Sequence, residues 1–178
     1  MIYLDNAATT KPSKAAVDAM IKAAECFGNP SSLHGLGIEA EKLINESKKN
    51  IADMLGVESK NILFTSGGTE ANNLAVFGVA AARHKIGTKI VTSKIEHPSV
   101  LEAFRKLEID GFNVEYLDVD SEGRVDLDML RNVLDEETIL ISVMHVNNET
   151  GVIQPIEEIR EIMLEKAPYA HLHTDCVQ

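Results

Sequence analysis

The sequence predicts an α/β fold, a mainly parallel sheet with helices on both faces. Three observations carry the prediction. Short apolar runs alternate with longer segments of helical period along most of the 178 residues. The run "TILISVMH", Thr138 to His145, is almost entirely apolar, as in a strand buried on both faces. Each strand-like run ends in polar or glycine-rich residues, and in parallel sheets ligands gather beyond the carboxyl ends of the strands.

Lys14 to Cys26 reads as a helix with Val17, Met20, Ile21 and Ala24 on one face. Phe27 to Gly37, "FGNPSSLHGLG", is a loop rich in Gly, Asn, Pro and Ser. Ile38 to Leu55 is the next helix, with Ala40, Ile44, Ser47, Ile51 and Met54 in a stripe and Gly56 as its C-cap. From there the rhythm is regular. Strands are expected at Ile62–Thr65, Lys89–Ser93, Val114–Val119, Thr138–His145 and His171–Asp175. Helices are expected at Glu70–His84, Pro98–Asp110, Asp126–Leu134 and Ile156–Lys166. Helical crossovers between successive strands make the sheet parallel.

Bulk composition narrows the function. The net charge of -11 argues against binding a nucleic-acid backbone, which takes clustered Lys and Arg. Trp is absent and aromatics make up 4%, too few for base-stacking platforms. Cys26 and Cys176 have neither disulfide-framework nor metal-ligand spacing, so no metal is expected and a reducing cytoplasm is the simplest compartment. No apolar run has the length of a membrane span, and "MIYLDNAATTK" lacks the pattern of a signal peptide.

Four groups stand at strand ends, and each has an ordinary structural explanation beside a functional one. Gly67-Gly68-Thr69 opens a helix, where free N–H groups and the dipole favour an anion; it could equally be a tight turn with Thr69 as N-cap. It is neither a Walker loop nor the dinucleotide fingerprint. His97 precedes Pro98, a first-turn residue, and is a cap or a flat ring for stacking. Asn147-Asn148 sits in a loop closed by Gly151, where asparagine often serves the backbone. Asp175 ends the strand "AHLHTD"; a buried carboxylate there needs a cationic partner, for which a ligand N–H⁺ would serve, or it is the N-cap of a following helix. By alternation Val177 shares the face of Asp175, while Cys176 points away as core filler.

Taken together, six stretches resemble one family. They are "YLDNAATT" (Tyr3–Thr10), "FGNPSSLH" (Phe27–His34), "FTSGGTEANN" (Phe64–Asn73), "EHPSV" (Glu96–Val100), "MHVNNETGVIQP" (Met144–Pro155) and "HTDCVQ" (His173–Gln178). In this order and spacing the chain resembles the N-terminal part of the cysteine desulfurases, pyridoxal-phosphate enzymes of the aminotransferase class V group. The resemblance implies a fold-type-I large domain, truncated. Residues 1–36 would be an N-terminal segment and helix, and 37–178 the first part of the large domain.

The resemblance also implies roles. Gly68 and Thr69 would hold the phosphate of pyridoxal phosphate. His97 would stack on its ring and act catalytically. Asp175 would pair with the pyridine N–H⁺, and Val177 would pack the opposite ring face. Asn148 and Gln178 would lie around the ring hydroxyl and the substrate. The implied reaction converts L-cysteine to L-alanine and passes sulfur through an enzyme cysteine to an acceptor or iron–sulfur scaffold protein. A homodimer is implied, with no nucleic-acid or membrane partner. The family's Schiff-base lysine lies in a Ser-x-His-Lys motif absent from the 178 residues, and neither Cys26 nor Cys176 matches its sulfur-accepting cysteine. The chain as given is therefore expected to be inactive alone. A selenocysteine lyase, an aminotransferase-like enzyme of the same cofactor frame, or a non-catalytic fragment are the other readings.

Overall fold

In the computed structural model, which describes residues 2–178, four strands form one sheet. They are β1 (Lys89–Ser93), β2 (Asn113–Leu117), β3 (Thr138–Ser142) and β4 (His171–His173), in the order β2-β1-β3-β4. All three pairings are parallel; Val91 lies opposite Glu115 on one side and Ile141 on the other, and Ile141 opposite Leu172. Six α-helices are described: α1 (Lys14–Glu25), α2 (Gly35–Leu55), α3 (Gly68–Arg83), α4 (Pro98–Ile109), α5 (Leu127–Val133) and α6 (Ile156–Lys166).

The alternation of side chains along each strand sorts the core into two layers. Ile90 and Leu140 point to one face, where Val76 and Ala80 of α3 and Val100, Ala103, Phe104 and Leu107 of α4 bury them. Val91 and Ile141 point to the other, against Leu130 of α5 and Ile159, Ile162 and Met163 of α6. Every residue of β3 is buried, which is why its sequence reads apolar without a period of two. This is the expected α/β architecture with helices on both faces.

The chain divides into two compact units, Met1–Phe64 and Thr65–Gln178. The first carries α1 and α2. Ser13 caps α1 by accepting the Ala16 N–H at 3.2 Å. Helix α2 begins three residues before the expected Ile38, because His34 Nδ1 accepts the Gly37 N–H at 3.3 Å and caps it at Gly35. It ends at Gly56, whose φ of 67° is left-handed, as a glycine C-cap requires. The second unit holds the whole sheet and α3 to α6.

Two sets of boundaries differ from expectation. Ile62–Thr65 forms no strand. A strand exists through its neighbours, and no segment of the described chain pairs with this one; Leu63 and Phe64 stay exposed. β1 falls at Lys89–Ser93 as expected, while β2, β3 and β4 end before their expected bounds. β3 ends at Ser142 and β4 at His173, although two further backbone bonds, Val143 N–H to His173 O at 3.1 Å and His145 N–H to Asp175 O at 2.9 Å, carry the pairing onward. Those bonds fix the position of Asp175 at the sheet's carboxyl edge. No helix among the described residues is long and apolar enough to cross a membrane.

Candidate functional site

The polar groups singled out by sequence belong to the second unit and stand at the carboxyl edge of the parallel sheet. The turn Ser66-Gly67-Gly68 leads into α3 with Gly67 as N-cap, so Thr69 lies inside the helix and does not cap it. Glu70 reaches back to accept the Ser66 N–H at 2.6 Å. The first helical bond runs from Ala71 N–H to Gly67 O at 3.1 Å. The N–H groups of Gly68 and Thr69 and the Thr69 hydroxyl therefore have no hydrogen-bond partner among the described residues, and they sit at the positive end of a 16-residue helix. A Cβ added to Gly68 would come within 3.1 Å of Val177 Cγ2. The approach to these donors is narrow, and glycine keeps it open.

Asp175 is buried, with 9% of its surface exposed. Its partners among the described residues are neutral. Oδ2 accepts from Asn72 Nδ2 at 2.8 Å and Oδ1 from the Val177 N–H at 3.0 Å. These neutral donors make burial tolerable while leaving the negative charge uncompensated by any Lys or Arg pairing among the described residues. Asn72 also donates to Ser99 Oγ at 2.9 Å, and Ser99 Oγ lies 2.8 Å from His97 Nδ1. His97 is the N-cap of α4, its Nδ1 accepting the Ser99 N–H at 3.1 Å. The capping reading of His97 is thus correct, and it leaves the ring exposed with Nε2 free of hydrogen bonds among the described residues.

Asn147 and Asn148 divide their work. Asn147 Oδ1 accepts from the N–H groups of Glu149 and Thr150 at 3.0 and 2.9 Å, and its Nδ2 donates to Ile95 O at 3.0 Å. It clasps the loop after β3 to the residue just before Glu96 and His97. Asn148, half-buried on the same edge, has an amide with no hydrogen bond among the described residues.

Beyond His173 the chain is no longer extended in a strand, so alternation stops governing which way side chains face. Cys176 is exposed and is not core filler, and Val177 is 68% exposed, not buried beside Asp175. The Val177 N–H turning back onto the Asp175 carboxylate is the local cause. Burial and the nearby Asp175 carboxylate raise the Cys176 thiol above its ordinary range, which leaves it a poor nucleophile. Gln178 is exposed at the same edge.

Three side chains of this region were not singled out from sequence. Asn72 and Ser99 could have been: each lies on a stripe of otherwise apolar buried residues, Asn72 with Val76 and Ala80, Ser99 with Ala103 and Phe104. Glu96 left no such signal. It is 4% exposed; Oε1 accepts the Ser93 hydroxyl at 2.5 Å and the Met144 N–H at 3.0 Å, while Oε2 is buried with no partner.

Burial pushes the Glu96 carboxyl from 4.5 up to about 7, against the lowering effect of those two bonds and with the Asp175 charge adding to the rise. A carboxyl whose folded value is raised favours the fold while protonated. That stability is complete below about 4.5 and is lost as pH rises through about 7. Glu96→Gln, neutral at every pH, is expected to gain on the native protein by on the order of 3 kcal/mol above pH ~8, since each unit corresponds to about 1.4 kcal/mol. Unfolding midpoints measured from about pH 5 to 9 check this. Parallel curves for the two proteins would show that Glu96 ionises freely in the fold.

A helix start with free N–H donors, an exposed imidazole ring and a buried carboxylate without a Lys or Arg partner, on one sheet edge, have the chemistry to fit a phosphorylated, planar, cationic heterocycle. The donor set suits the phosphate, and Asp175 suits a ring N–H⁺.

Comparison with known proteins agrees with this chemistry. Residues 2–178 match the family described as aminotransferase class-V. The protein named cysteine desulfurase IscS from Dictyoglomus turgidum is 50% identical over 99% of this chain, which covers 45% of that protein. The protein of the same name from Methanosarcina thermophila is 49% identical over 99% of the chain and is covered to 44%. Among solved structures, one titled NifS-like protein superposes with a TM-score of 0.96 at 41% identity, 99% of this chain matching 49% of that one. Another, titled SspA in complex with cysteine, gives a TM-score of 0.91 at 37% identity, over 99% of this chain and 50% of its own. The chain spans about half the length of the relatives it matches.

Proposed function

Since the chain belongs to the aminotransferase class-V family, we propose that it is the N-terminal part of a pyridoxal-phosphate-dependent cysteine desulfurase. The observation that carries the proposal is the Asp175 carboxylate, buried without a cation, on the sheet edge that also holds the free donors of Gly68 and Thr69. The similarity to proteins named cysteine desulfurase supports the choice of reaction.

In this reading the Gly68 and Thr69 N–H groups and the Thr69 hydroxyl hold the phosphate. Asp175 accepts the ring N–H⁺, and its charge keeps that proton in place. His97 lies against the ring and is the catalytic residue of this chain, its Nε2 holding or moving a proton. Val177 borders the approach to Gly68 and packs the other ring face. Asn148 and Gln178 offer amides to the ring hydroxyl and the substrate. The cofactor, when bound, supplies the electron sink that stabilises carbanion character at the substrate's α-carbon. Cys26 and Cys176 take no part in sulfur transfer, since neither stands in the family's motif and Cys176 is held as a thiol.

L-cysteine is the substrate, a protein thiol or iron–sulfur scaffold the sulfur acceptor, and the cytoplasm the compartment. Met20, Ile21, Leu33 and Met54 in the first unit are exposed apolar residues, and we assign their cover to a second copy in a homodimer.

Alanine and sulfide release from L-cysteine by the full-length protein, with reductant present, tests the reaction. Stoichiometric alanine is expected from the full-length protein and none from the 178 residues alone, which contain no Ser-x-His-Lys lysine. Turnover of other amino acids without cysteine would replace the proposal. Sulfide release by the 178 residues would show that the nucleophiles have been misassigned.

A further inference from the structure

We infer that Asn72 and Ser99 are positioning residues that hold His97 as the neutral Nε2–H tautomer, with its donor hydrogen on the exposed side of the ring. The assignment follows from a count of donors. The Ser99 backbone N–H can only donate, and it points at His97 Nδ1 at 3.1 Å. Nδ1 must therefore carry the lone pair. Ser99 Oγ lies 2.8 Å from the same nitrogen and receives an N–H of Asn72 at 2.9 Å. Its own hydrogen is then directed to Nδ1. The second N–H of Asn72 goes to Asp175 Oδ2 at 2.8 Å. Both hydrogens of one amide are thus used, one toward the carboxylate and one toward the imidazole. The network runs in a single direction, Asn72 to Ser99 to His97; a proton on Nδ1 would break the bond from the Ser99 N–H and reverse the one from its hydroxyl.

Burial makes the arrangement rigid. Asn72 is 5% and Ser99 9% exposed, so water does not readily substitute for either partner. The amide of Asn72 couples two groups that otherwise belong to different elements, Asp175 after β4 and His97 at the start of α4. The titratable groups facing this network are Asp175, through Asn72, and Glu96, which adjoins His97 in sequence and feels the Asp175 charge.

The consequence for chemistry rests on the proposed cofactor site. In this form Nε2 is a hydrogen-bond donor on the exposed side of the ring, and it accepts a proton there only after losing the one it holds. The tautomer itself does not depend on the cofactor reading, so the two can fail separately.

The test is nitrogen-15 NMR of the full-length protein labelled in histidine, with the His97 signals assigned by their loss in His97→Asn. Ring nitrogen shifts and two-bond couplings at about pH 8 distinguish the tautomers. His97 is expected as Nε2–H in the native protein. In Ser99→Ala the hydroxyl is lost to both tautomers while the backbone donor remains, so Nε2–H should still predominate. A spectrum dominated by Nδ1–H, in the native protein or in Ser99→Ala, overturns the inference. Loss of pyridoxal phosphate binding with the Nε2–H tautomer intact would instead count against the cofactor reading alone.

Discussion

Asp175→Asn folds and loses at least about tenfold in affinity for pyridoxal phosphate, and Asp175→Ala loses more. A hydrogen bond to a charged group contributes about 1.5–3 kcal/mol, which corresponds to roughly 10–100-fold. The asparagine variant removes that charge at nearly constant shape. Its side-chain oxygen can still accept from Asn72 or from the Val177 N–H, so one of the two bonds at the end of β4 remains and the other is lost. The alanine variant also strands one Asn72 hydrogen in a buried place, at a further cost to stability of about 1–3 kcal/mol. Fluorescence titration with the cofactor, paired with urea unfolding, separates the two effects. Equal affinity in native protein and Asp175→Asn would mean that Asp175 does not meet the ring.

Gly68→Val is expected to abolish phosphate binding while leaving the fold close to native stability. The Cβ alone would stand 3.1 Å from Val177 Cγ2, and the two further methyl groups fill the approach to the Gly68 and Thr69 N–H groups. The neighbour that must give way is an exposed side chain, so the cost falls on the site and not on the core. Gly68→Ala should show an intermediate loss. Isothermal titration with inorganic phosphate and with the cofactor reads both variants. An undiminished affinity in Gly68→Val would place the anion elsewhere.

Sequence patterns reached the layers of the fold because the buried faces carry them. α6 falls where its period predicts, at Ile156–Lys166, and the unbroken apolar run at Thr138 marks the fully buried β3. Segments whose structure depends on a partner were not legible. Ile62–Thr65 has strand-like residues but no neighbour to pair with in the described chain. Cys176 and Val177 lie past the last paired strand, where a side-chain bond to the Asp175 carboxylate redirects the backbone.

The site divides in the same way. Gly68, His97 and Asp175 are legible as candidates because each stands just after a strand or at a helix start. Their connections are not, since Asn72 meets Asp175 across 103 positions of sequence. Within the described residues the partners of Asp175 are two neutral donors, one of them 103 positions away, which no local pattern shows. Glu96, buried with one oxygen unpartnered, is invisible to any periodicity argument; its environment comes from Ser93 and from Met144, which lies 48 positions away.

If one edge of this sheet holds a phosphate at the start of α3 and a ring cation at Asp175, a crystal structure of the protein grown with pyridoxal phosphate will show both. The phosphate is expected on the N–H groups of Gly68 and Thr69, with the pyridine nitrogen within hydrogen-bonding distance of an Asp175 carboxylate oxygen and the His97 ring stacked on one face. Pyridoxal phosphate bound away from Gly68, or bound there with its ring nitrogen turned from Asp175, would contradict this expectation.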